Sequence, residues 1–381
     1  MPHATIDSTV PAIGINGFGR IGRAVFRASL DRDDLQVVHI NHTAPTTKHL
    51  LRSILFDSTH GPLRHSADLS ASDSGDALYF RGRRITLSST RDPSQLNWAE
   101  YGAEYVVEST GKMLTVESAS QHLQSGAKKV VISAPSKDAK TIVVGVNRKE
   151  YSPEMNVVSN ASCTTNCLAP LAKVLHNAFG ISSGMMSTVH ASTSSQHILD
   201  GYSKKSLRLG RSVASNIIPT TTGAASAISL VLPELTGKLT GISIRVPVSN
   251  VSMVDLTVVL TKPVATKEEL LQPLRDAAAG RMKSSIGPLS NVIAVSDDEL
   301  VSSDFCGWQQ SCIVDSAATT KLDDKTWKII AWYDNEWAYS VRILDLIEYM
   351  ASVDRGVESP ADQVKGPVNP ASLAAAVEAA V

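Results

Sequence analysis

The residue with the clearest chemical potential is Cys163, because it lies between two sequence patterns of different kind. An apolar run, Met155–Val158, precedes it and predicts a strand, whereas apolar residues at helical spacing follow it over 168–175. The cysteine is therefore expected where a strand turns into a helix. Unpaired backbone N–H groups and the helix dipole at such a junction favour the thiolate over the thiol. The alternative is a buried, inert cysteine.

Hydroxyl side chains flank this cysteine on both sides, at Ser162, Thr164 and Thr165. They suit a small oxyanion or phosphate that docks at the same helix start. Cys167 follows Cys163 by four residues, but no matching His/Cys cluster accompanies it, so no metal site is expected. The local pattern thus describes a nucleophile beside an anion site.

A candidate base, His190, ends the strand-like run that begins at Met186. A histidine close to Cys163 would favour the thiolate as a neighbouring base or cation, and it could take the proton of a hemithioacetal hydroxyl. A structural histidine is the alternative.

A glycine-rich turn, Gly17-Phe18-Gly19-Arg20-Ile21-Gly22, lies between an expected strand, Ala12–Asn16, and an expected helix, Ile21–Leu30. In a dinucleotide site, the first glycine allows the tight turn and the second lets the backbone approach a pyrophosphate. The third permits close packing of helix and strand. The pattern therefore predicts a dinucleotide site, with a structural turn as the alternative.

The ribose end of that site is unusual. A carboxylate normally stands about 20 residues on, at the end of the second strand, and binds the ribose hydroxyls. Here His42 follows the expected strand Leu35–Asn41. Histidine removes the repulsion of a 2′-phosphate and could donate a hydrogen bond to it, so NAD and NADP both remain open. The alternative is an exposed loop residue and somewhat weaker NAD binding.

Composition narrows the class of protein. The 381 residues suffice for two domains, and the net charge of −1 does not favour a nucleic-acid or membrane-surface role. Four cysteines in a chain of this length do not resemble a disulfide framework and indicate a reducing compartment. No run of about 18 apolar residues and no secretory signal is seen. The expectation is a soluble, cytoplasmic protein without membrane partners.

The expected fold class is α/β: a Rossmann-type doubly wound parallel sheet plus an α+β catalytic domain with a mostly antiparallel sheet. Strands are expected in the first 150 residues at Ala12–Asn16, Leu35–Asn41, Tyr105–Glu108, Lys129–Ser133 and Thr141–Val146. Later strands are expected at Ser243–Pro247, Met253–Leu260 and Trp327–Trp332, with helices at Lys267–Ala279 and Ser340–Ser352. The expected divisions are a cofactor domain (1–162), a catalytic domain (163–332), a C-terminal helix returning to the cofactor domain (333–352) and a flexible tail (353–381).

Together these motifs closely resemble phosphorylating glyceraldehyde-3-phosphate dehydrogenases. The resemblance extends from Ile15 to about Ser352, and its motifs are highly specific. It is carried by these segments: Ile15–Arg23, Phe56–Gly61, Glu104–Gly111, Ser159–Pro170, Ile217–Ala225, Arg245–Pro247 and Trp332–Trp337.

The resemblance implies that Cys163 attacks the substrate aldehyde with His190 as base. Hydride would pass to NAD or NADP, and inorganic phosphate would then attack the thioester in this glycolytic reaction. Cofactor binding is implied for Gly17, Phe18, Gly19, Arg20, Ile21, Gly22, His42, Arg91, Ser133 and Asn335. Thr193 and Arg245 would hold the substrate phosphate, and inorganic phosphate would be bound by Ser162, Thr164, Thr222 and Gly223.

Several positions depart from the family pattern and indicate a diverged paralogue. Tyr202 stands where the family usually has proline, in a loop that in the family typically reaches a neighbouring subunit's cofactor, and Thr43 resembles NADP-using members. Met113 and Ser226 replace an aromatic residue and a lysine. These changes suit either an altered cofactor preference or a specialised enzyme that tolerates a thiol-directed inhibitor.

The resemblance also implies a homotetramer. Two competing functions stay open at this point, an erythrose-4-phosphate dehydrogenase and a moonlighting binding protein. The near-neutral charge and the lack of a basic stretch mean that nucleic acid is not expected as the primary partner.

Overall fold

The structure is a computed structural model that describes residues 7–204, 206–281 and 289–357. Its strands are β1 Ala12–Asn16, β2 Gln36–Asn41, β3 Leu69–Ala71, β4 Ala77–Phe80, β5 Arg83–Ser88, β6 Tyr105–Glu108, β7 Lys129–Ile132, β8 Lys140–Thr141, β9 Val157–Ser159, β10 Ile181–His190, β11 Ile218–Thr221, β12 Leu239–Arg245, β13 Ser252–Leu260, β14 Ile293–Ser296, β15 Cys312–Lys321 and β16 Thr326–Tyr333. Its helices are α1 Arg20–Ser29, α2 Thr47–Leu55, α3 Val116–Ala119, α4 Gln121–Gln124, α5 Cys163–Phe179, α6 Ala224–Val231, α7 Lys267–Ala278 and α8 Trp337–Arg355.

The first sheet contains β1 to β9 in the order β3-β4-β5-β2-β1-β6-β7-β9-β8. All pairs from β5 to β8 along this order are parallel, as expected for a doubly wound sheet. The antiparallel strands β3 and β4 extend one edge. They are short and were not expected from the sequence. The central strands β1 and β2 are buried along their whole length, as strands covered on both faces must be.

The second sheet has the order β11-β12-β10-β13-β16-β15-β14. Its pairs are antiparallel except for β10 with β12 and β14 with β15. The long strand β13 alternates buried and partly exposed residues, because one face of the sheet packs on the core. The expected combination of a parallel-rich sheet and a mostly antiparallel sheet is therefore confirmed.

One expected strand is wrong. Only Lys140–Thr141 pairs as a strand, and the chain turns immediately afterwards instead of extending to Val146. Gly145 has a positive φ of 82°, which favours glycine. The side chain of Asn147 accepts a hydrogen bond from the backbone N–H of Val143 at 2.8 Å and donates to the carbonyl of Thr141 at 2.9 Å. These local bonds replace the strand ladder.

Two long helices connect the sheets to the site. Helix α5 begins at Cys163, directly after the first sheet, and is buried over most of its length. Helix α8 begins three residues before the expected Ser340–Ser352 pattern and packs against α1 of the first sheet. It ends at Arg355 with Gly356 in the left-handed conformation. The helix therefore includes residues 353–355, which were expected in the flexible tail, and from residue 358 onward that expected tail lies outside the described residues. Within the described part of the chain, no helix has both the length and the apolar character needed to cross a bilayer.

Candidate active site

The glycine-rich turn has the geometry that a dinucleotide requires. Gly17 has a φ of 88°, and a Cβ there would lie 2.7 Å from Thr110 Cγ2. A Cβ on Gly22 would collide with the carbonyl of Gly17, so helix α1 packs closely on the turn. In contrast, nothing lies within 4 Å of a Cβ built on Gly19. The N-terminus of α1 has no acidic residue in its first turn, so the open backbone and the helix dipole together suit a pyrophosphate.

The side chain of Arg20 is already engaged by protein. It forms ion pairs with Asp57 and Glu336, and its Nε donates to Glu336 Oε1 at 2.8 Å. Burial and Arg20 act on Asp57 in opposite directions, and the net result is a pKa below its usual range. Arg20 is thus available to a pyrophosphate through its backbone N–H, as Ile21 is. The neighbouring Phe18 packs on Phe26 with ring centroids 5.9 Å apart.

His42 is buried, with 6% of its surface exposed, so the alternative of an exposed loop residue is wrong. Its Nδ1 accepts a hydrogen bond from the backbone N–H of Ala44 at 3.0 Å. Burial lowers the pKa of the imidazole, which keeps the ring neutral at neutral pH. Because Nδ1 accepts, the proton lies on Nε2. His42 is therefore a neutral hydrogen-bond donor rather than a cation.

The remaining cofactor candidates occupy different environments. Ser133 follows β7 and donates its backbone N–H to Glu108 at 3.0 Å, whereas Arg91 is exposed. Asn335 is buried between β16 and α8, and its Oδ1 accepts the hydroxyl of Ser252 at 2.9 Å. This bond orients the amide so that the NH2 group is the donor left for a ligand.

Cys163 is the first residue of α5. Its predecessor Ser162 is the N-cap, accepting the backbone N–H of Thr165 at 3.0 Å. Ala161 before it has a φ of 58°, a left-handed conformation that costs a non-glycine residue about 1–2 kcal/mol. The hydroxyl of Tyr339 donates to the Ala161 carbonyl at 2.9 Å and holds this turn. The strand-to-helix junction is therefore tightly determined by its surroundings.

The structure brings His190 to the nucleophile. Its Nε2 lies 3.5 Å from Cys163 Sγ. Strands β10 and β12 are parallel neighbours, and their register places His190 directly beside Arg245. Nη1 of Arg245 lies 2.7 Å from His190 Nδ1, and the carbonyl oxygen of Ala191 lies 2.7 Å from the same nitrogen. Arg245 also donates to that carbonyl at 3.2 Å.

Burial has the largest effect on the pKa values of both His190 and Cys163. It lowers the pKa of His190 to about 4, with the charge of Arg245 acting in the same direction, so the imidazole is neutral at neutral pH. Burial also raises the pKa of the Cys163 thiol, which differs from the expectation based on the helix start. Arg245 and hydrogen bonds from the start of α5 do lower this pKa, but the enclosure of the sulfur outweighs them. A neutral base beside a thiol is the resulting arrangement.

The residues expected to bind phosphate lie in different parts of the chain. Thr164 is buried, and its hydroxyl bonds that of Tyr333 at 2.8 Å. Thr193 lies three residues after His190, and its backbone N–H donates to Gln196 Oε1 at 3.0 Å. Thr222 and Gly223 precede α6, and among the described residues no hydrogen bond links them to Cys163, His190 or Arg245. A Cβ on Gly223 would meet nothing within 4 Å.

Two family models match the chain: the glyceraldehyde 3-phosphate dehydrogenase NAD binding domain over residues 11–116 and its C-terminal domain over 162–335. The glyceraldehyde-3-phosphate dehydrogenase of Ajellomyces capsulatus is 50% identical over 347 residues, which cover 91% of this chain and 99% of that protein. The chain belongs to the glyceraldehyde-3-phosphate dehydrogenase family. The resemblance of its motifs is thereby confirmed.

Other glyceraldehyde-3-phosphate dehydrogenases show a similar likeness. A chloroplastic one of Arabidopsis thaliana is 50% identical over 341 residues, 90% of this chain and 78% of that protein. A cytosolic one of Craterostigma plantagineum is 49% identical over 340 residues, 89% of this chain and 98% of that protein. Membership makes the chain an NAD(P)-dependent oxidoreductase of glycolysis, as expected from its sequence.

Two residues that shape the site, Tyr333 and Ser252, were not expected from the sequence. The hydroxyl of Tyr333 forms hydrogen bonds with the hydroxyls of Thr164 and Thr188. The ring of Tyr333 packs edge-on against the His190 ring, with the ring centroids 6.0 Å apart. Ser252 orients Asn335 from the next strand. Neither has a local sequence signal, because strand register in the second sheet creates both contacts.

Proposed function

We propose that the protein oxidises glyceraldehyde 3-phosphate to 1,3-bisphosphoglycerate through a thioester on Cys163. His190 takes the thiol proton as sulfur attacks the aldehyde carbon and then gives this proton to the aldehyde oxygen, so that a neutral hemithioacetal forms and His190 is a free base again. Removal of its hydroxyl proton by His190 accompanies loss of hydride. An oxygen of inorganic phosphate then attacks the thioester carbon, the acyl phosphate leaves, and the sulfur regains its proton.

The cofactor is assigned to the first sheet and to the start of α8. The turn from Gly17 to Gly22 would hold the pyrophosphate, and His42 and Arg91 would face the adenosine end. Ser133 and Asn335 would position the nicotinamide ring. When bound, the nicotinamide accepts the hydride. In this proposal residues 1–162 bind the cofactor, 163–332 carry the chemistry and 333–352 return to the cofactor domain.

Two anion sites complete the proposed reaction centre. Arg245 and Thr193 would bind the substrate phosphate, with Arg245 exchanging its contact on His190 for the ligand. Ser162, Thr164, Thr222 and Gly223 would bind inorganic phosphate. For Ser162 and Thr164, whose hydroxyls already have protein partners, the N–H groups at the start of α5 are the available donors.

The approach of His190 Nε2 to Cys163 Sγ at 3.5 Å carries the proposal. Steady-state kinetics with glyceraldehyde 3-phosphate and NAD test it, with and without inorganic phosphate. We expect turnover to require phosphate and its omission to leave one burst of NADH per active site. Turnover that is independent of phosphate would rule out the acyl-phosphate route. A higher kcat/KM for erythrose 4-phosphate would reassign the substrate, and inactivity towards both would favour a binding role.

The same kinetics with NADP address cofactor preference. We propose that the enzyme uses NADP as well as NAD, since a neutral donor at position 42 replaces the carboxylate that would repel a 2′-phosphate. If kcat/KM with NADP is negligible, the substitution at His42 serves only ribose binding.

We further propose that the chain assembles into a homotetramer. We also propose that it works in a reducing compartment such as the cytoplasm. Ile198, Leu199, Tyr202, Leu207 and Ile217 are exposed in one chain, which suits their burial between subunits. All four cysteines are free thiols. Light scattering on the purified chain should give four times the chain mass, and Tyr202→Asp should reduce it. A monomeric parent chain would exclude this assembly.

A second proposal concerns reactivity. The family pattern has an aromatic residue at position 113 and a lysine at position 226, and their replacement by Met113 and Ser226 supports a specialised paralogue that tolerates a thiol-directed inhibitor. Inactivation rates of this enzyme and of the cytosolic Craterostigma plantagineum enzyme should be compared with one electrophile at one pH. Equal rates would contradict the proposal.

A further inference from the structure

Three potential metal ligands meet outside the reaction centre: His60, Cys306 and Asp334, whose ligand atoms all lie within 4.8 Å of one another. They come from the segment after α2, the turn before β15 and the residue after β16. We propose that they form a Zn²⁺ site. This site plays no part in the proposed dehydrogenase reaction. No metal site was expected from the sequence.

The imidazole of His60 is oriented for metal binding. Its Nε2 lies 2.9 Å from Glu336 Oε2, and because a carboxylate accepts, Nε2 carries the proton. Nδ1 faces Cys306 Sγ, 3.9 Å away. Burial lowers the pKa of His60, but the hydrogen bonds with Cys306 and Glu336 and the charges of Asp334 and Glu336 outweigh it and raise the pKa to about 9, so a metal ion bound at neutral pH must displace the proton on Nδ1. A second carboxylate that fixes the other ring nitrogen is the usual support of a histidine ligand. Zn–S and Zn–N bonds in a tetrahedral site place sulfur and nitrogen about 3.5 Å apart, so a small closure suffices.

Asp334 is held in a fixed orientation. The carboxylate is 1% exposed and accepts backbone N–H groups from Gly307, Glu336 and Trp337 at 2.7–2.9 Å. Among the described residues, no lysine or arginine lies within ion-pair distance of it. A buried carboxylate is normally balanced by a positive charge, of which the two N–H groups at the start of α8 supply only a part. A metal ion can supply that charge, and a proton on His60 is the competing solution that the experiment must separate.

Cys306 can supply the third ligand as a thiolate. Its thiol donates to the carbonyl of Thr59 at 3.5 Å, and Asn250 Nδ2 donates to the sulfur at 3.6 Å. An N–H donor stabilises a thiolate, and binding of the metal releases the thiol proton. The thiolate and Asp334 together carry two negative charges, which match a divalent ion.

The mixture of ligands selects the metal. One sulfur, one imidazole nitrogen and one carboxylate oxygen suit Zn²⁺ better than the hard ions Mg²⁺ and Ca²⁺, which prefer oxygen alone. Three protein ligands leave a fourth position for water. The ion would join the segments at His60 and Cys306 to Asp334, the residue before Asn335. Its binding should therefore stabilise the fold around the proposed nicotinamide contact.

Cobalt titration of the full chain tests the site. All samples carry Cys163→Ser, so that the reactive thiol of the dehydrogenase does not compete for metal. After chelator treatment, we expect one equivalent of Co²⁺ to give a thiolate-to-cobalt charge-transfer band, and Zn²⁺ to displace it and raise the melting temperature. Adding Cys306→Ser should abolish the band and weaken Zn²⁺ binding at least ~10-fold. Cys312→Ser is the matched control, since Cys312 is a buried thiol outside the cluster.

Several results would overturn the site. Absence of the band in the Cys163→Ser parent refutes it without any further variant, and a band that survives Cys306→Ser assigns the sulfur elsewhere. If Zn²⁺ leaves the melting temperature unchanged while the parent is fully folded, a proton on His60 is the balancing charge. Circular dichroism of each metal-free variant separates lost binding from lost folding.

Discussion

Nη1 of Arg245 and the carbonyl oxygen of Ala191 both approach Nδ1 of His190 at 2.7 Å. The carbonyl can only accept a hydrogen bond, whereas the guanidinium can only donate one. The two neighbours therefore favour opposite tautomers of the imidazole. When Nδ1–H faces Ala191, Nε2 is free to accept the proton of Cys163. An anion that draws Arg245 away would favour this catalytically useful tautomer.

Arg245→Gln should shift the reactivity of Cys163 to higher pH. The arginine lowers the pKa of both Cys163 and His190, so its removal raises both values. Alkylation by iodoacetamide reports the thiolate without requiring substrate, and the midpoint of its pH profile should move upward. Arg281→Gln is the matched control, because Arg281 is exposed and pairs with Asp276. An unchanged midpoint in Arg245→Gln would show that the guanidinium does not act on the sulfur.

His190→Asn should slow acylation while leaving binding intact. A positioned general base contributes about 10²–10⁴-fold to a rate, and Asn cannot take a proton at neutral pH. The burst of NADH formation in single-turnover experiments measures this step directly. Binding of NAD, followed by quenching of tryptophan fluorescence, serves as the control and should match that of the parent chain. A burst rate within a few-fold of the parent would exclude His190 as the base.

The parts that were predictable from the sequence depend on local chemistry. A positive φ at Gly17 and the close contact at Gly22 require glycine whatever the rest of the chain does, so the turn and the parallel sheet around it were expected correctly. The strand expected at Thr141–Val146 failed for an equally local reason. Apolar residues continue to Val146, but Gly145 and the amide of Asn147 close a turn within that run.

The contacts that could not be predicted join distant segments. Arg245 meets His190 only because β10 and β12 pair in one register, and a shift by one residue would turn the arginine to the other face. His60 and Cys306 are 246 positions apart, so no spacing motif exists for them. The burial that raises the pKa of Cys163 is likewise a property of the assembled core, whereas the favourable helix start is visible in the sequence.

His42→Asp should shift the preference from NADP towards NAD. A carboxylate at this position would accept hydrogen bonds from the ribose hydroxyls and repel a 2′-phosphate. We expect the ratio of kcat/KM for NAD to that for NADP to rise at least ~10-fold, which corresponds to about 1.4 kcal/mol. His42→Asn, a neutral replacement, is the control and should change the ratio far less. Equal ratios in both variants would mean that charge at position 42 does not select the cofactor.

His39 should make the fold sensitive to acid. Its ring stacks on Tyr101 at 3.7 Å and bonds the hydroxyls of Thr86 and Ser88, and burial lowers its pKa to about 3. The unfolded chain binds this proton near pH 6.5, so the stability that His39 contributes falls progressively as the pH drops from about 6.5 to 3. The slope of the unfolding free energy against pH measures how many protons the chain takes up on unfolding. Over this range, that number should be smaller by about one in His39→Gln than in the parent chain. Chemical denaturation at several pH values measures it. His49→Gln, at an exposed histidine, is the control, and an identical slope in both variants would show that His39 is not kept neutral by folding.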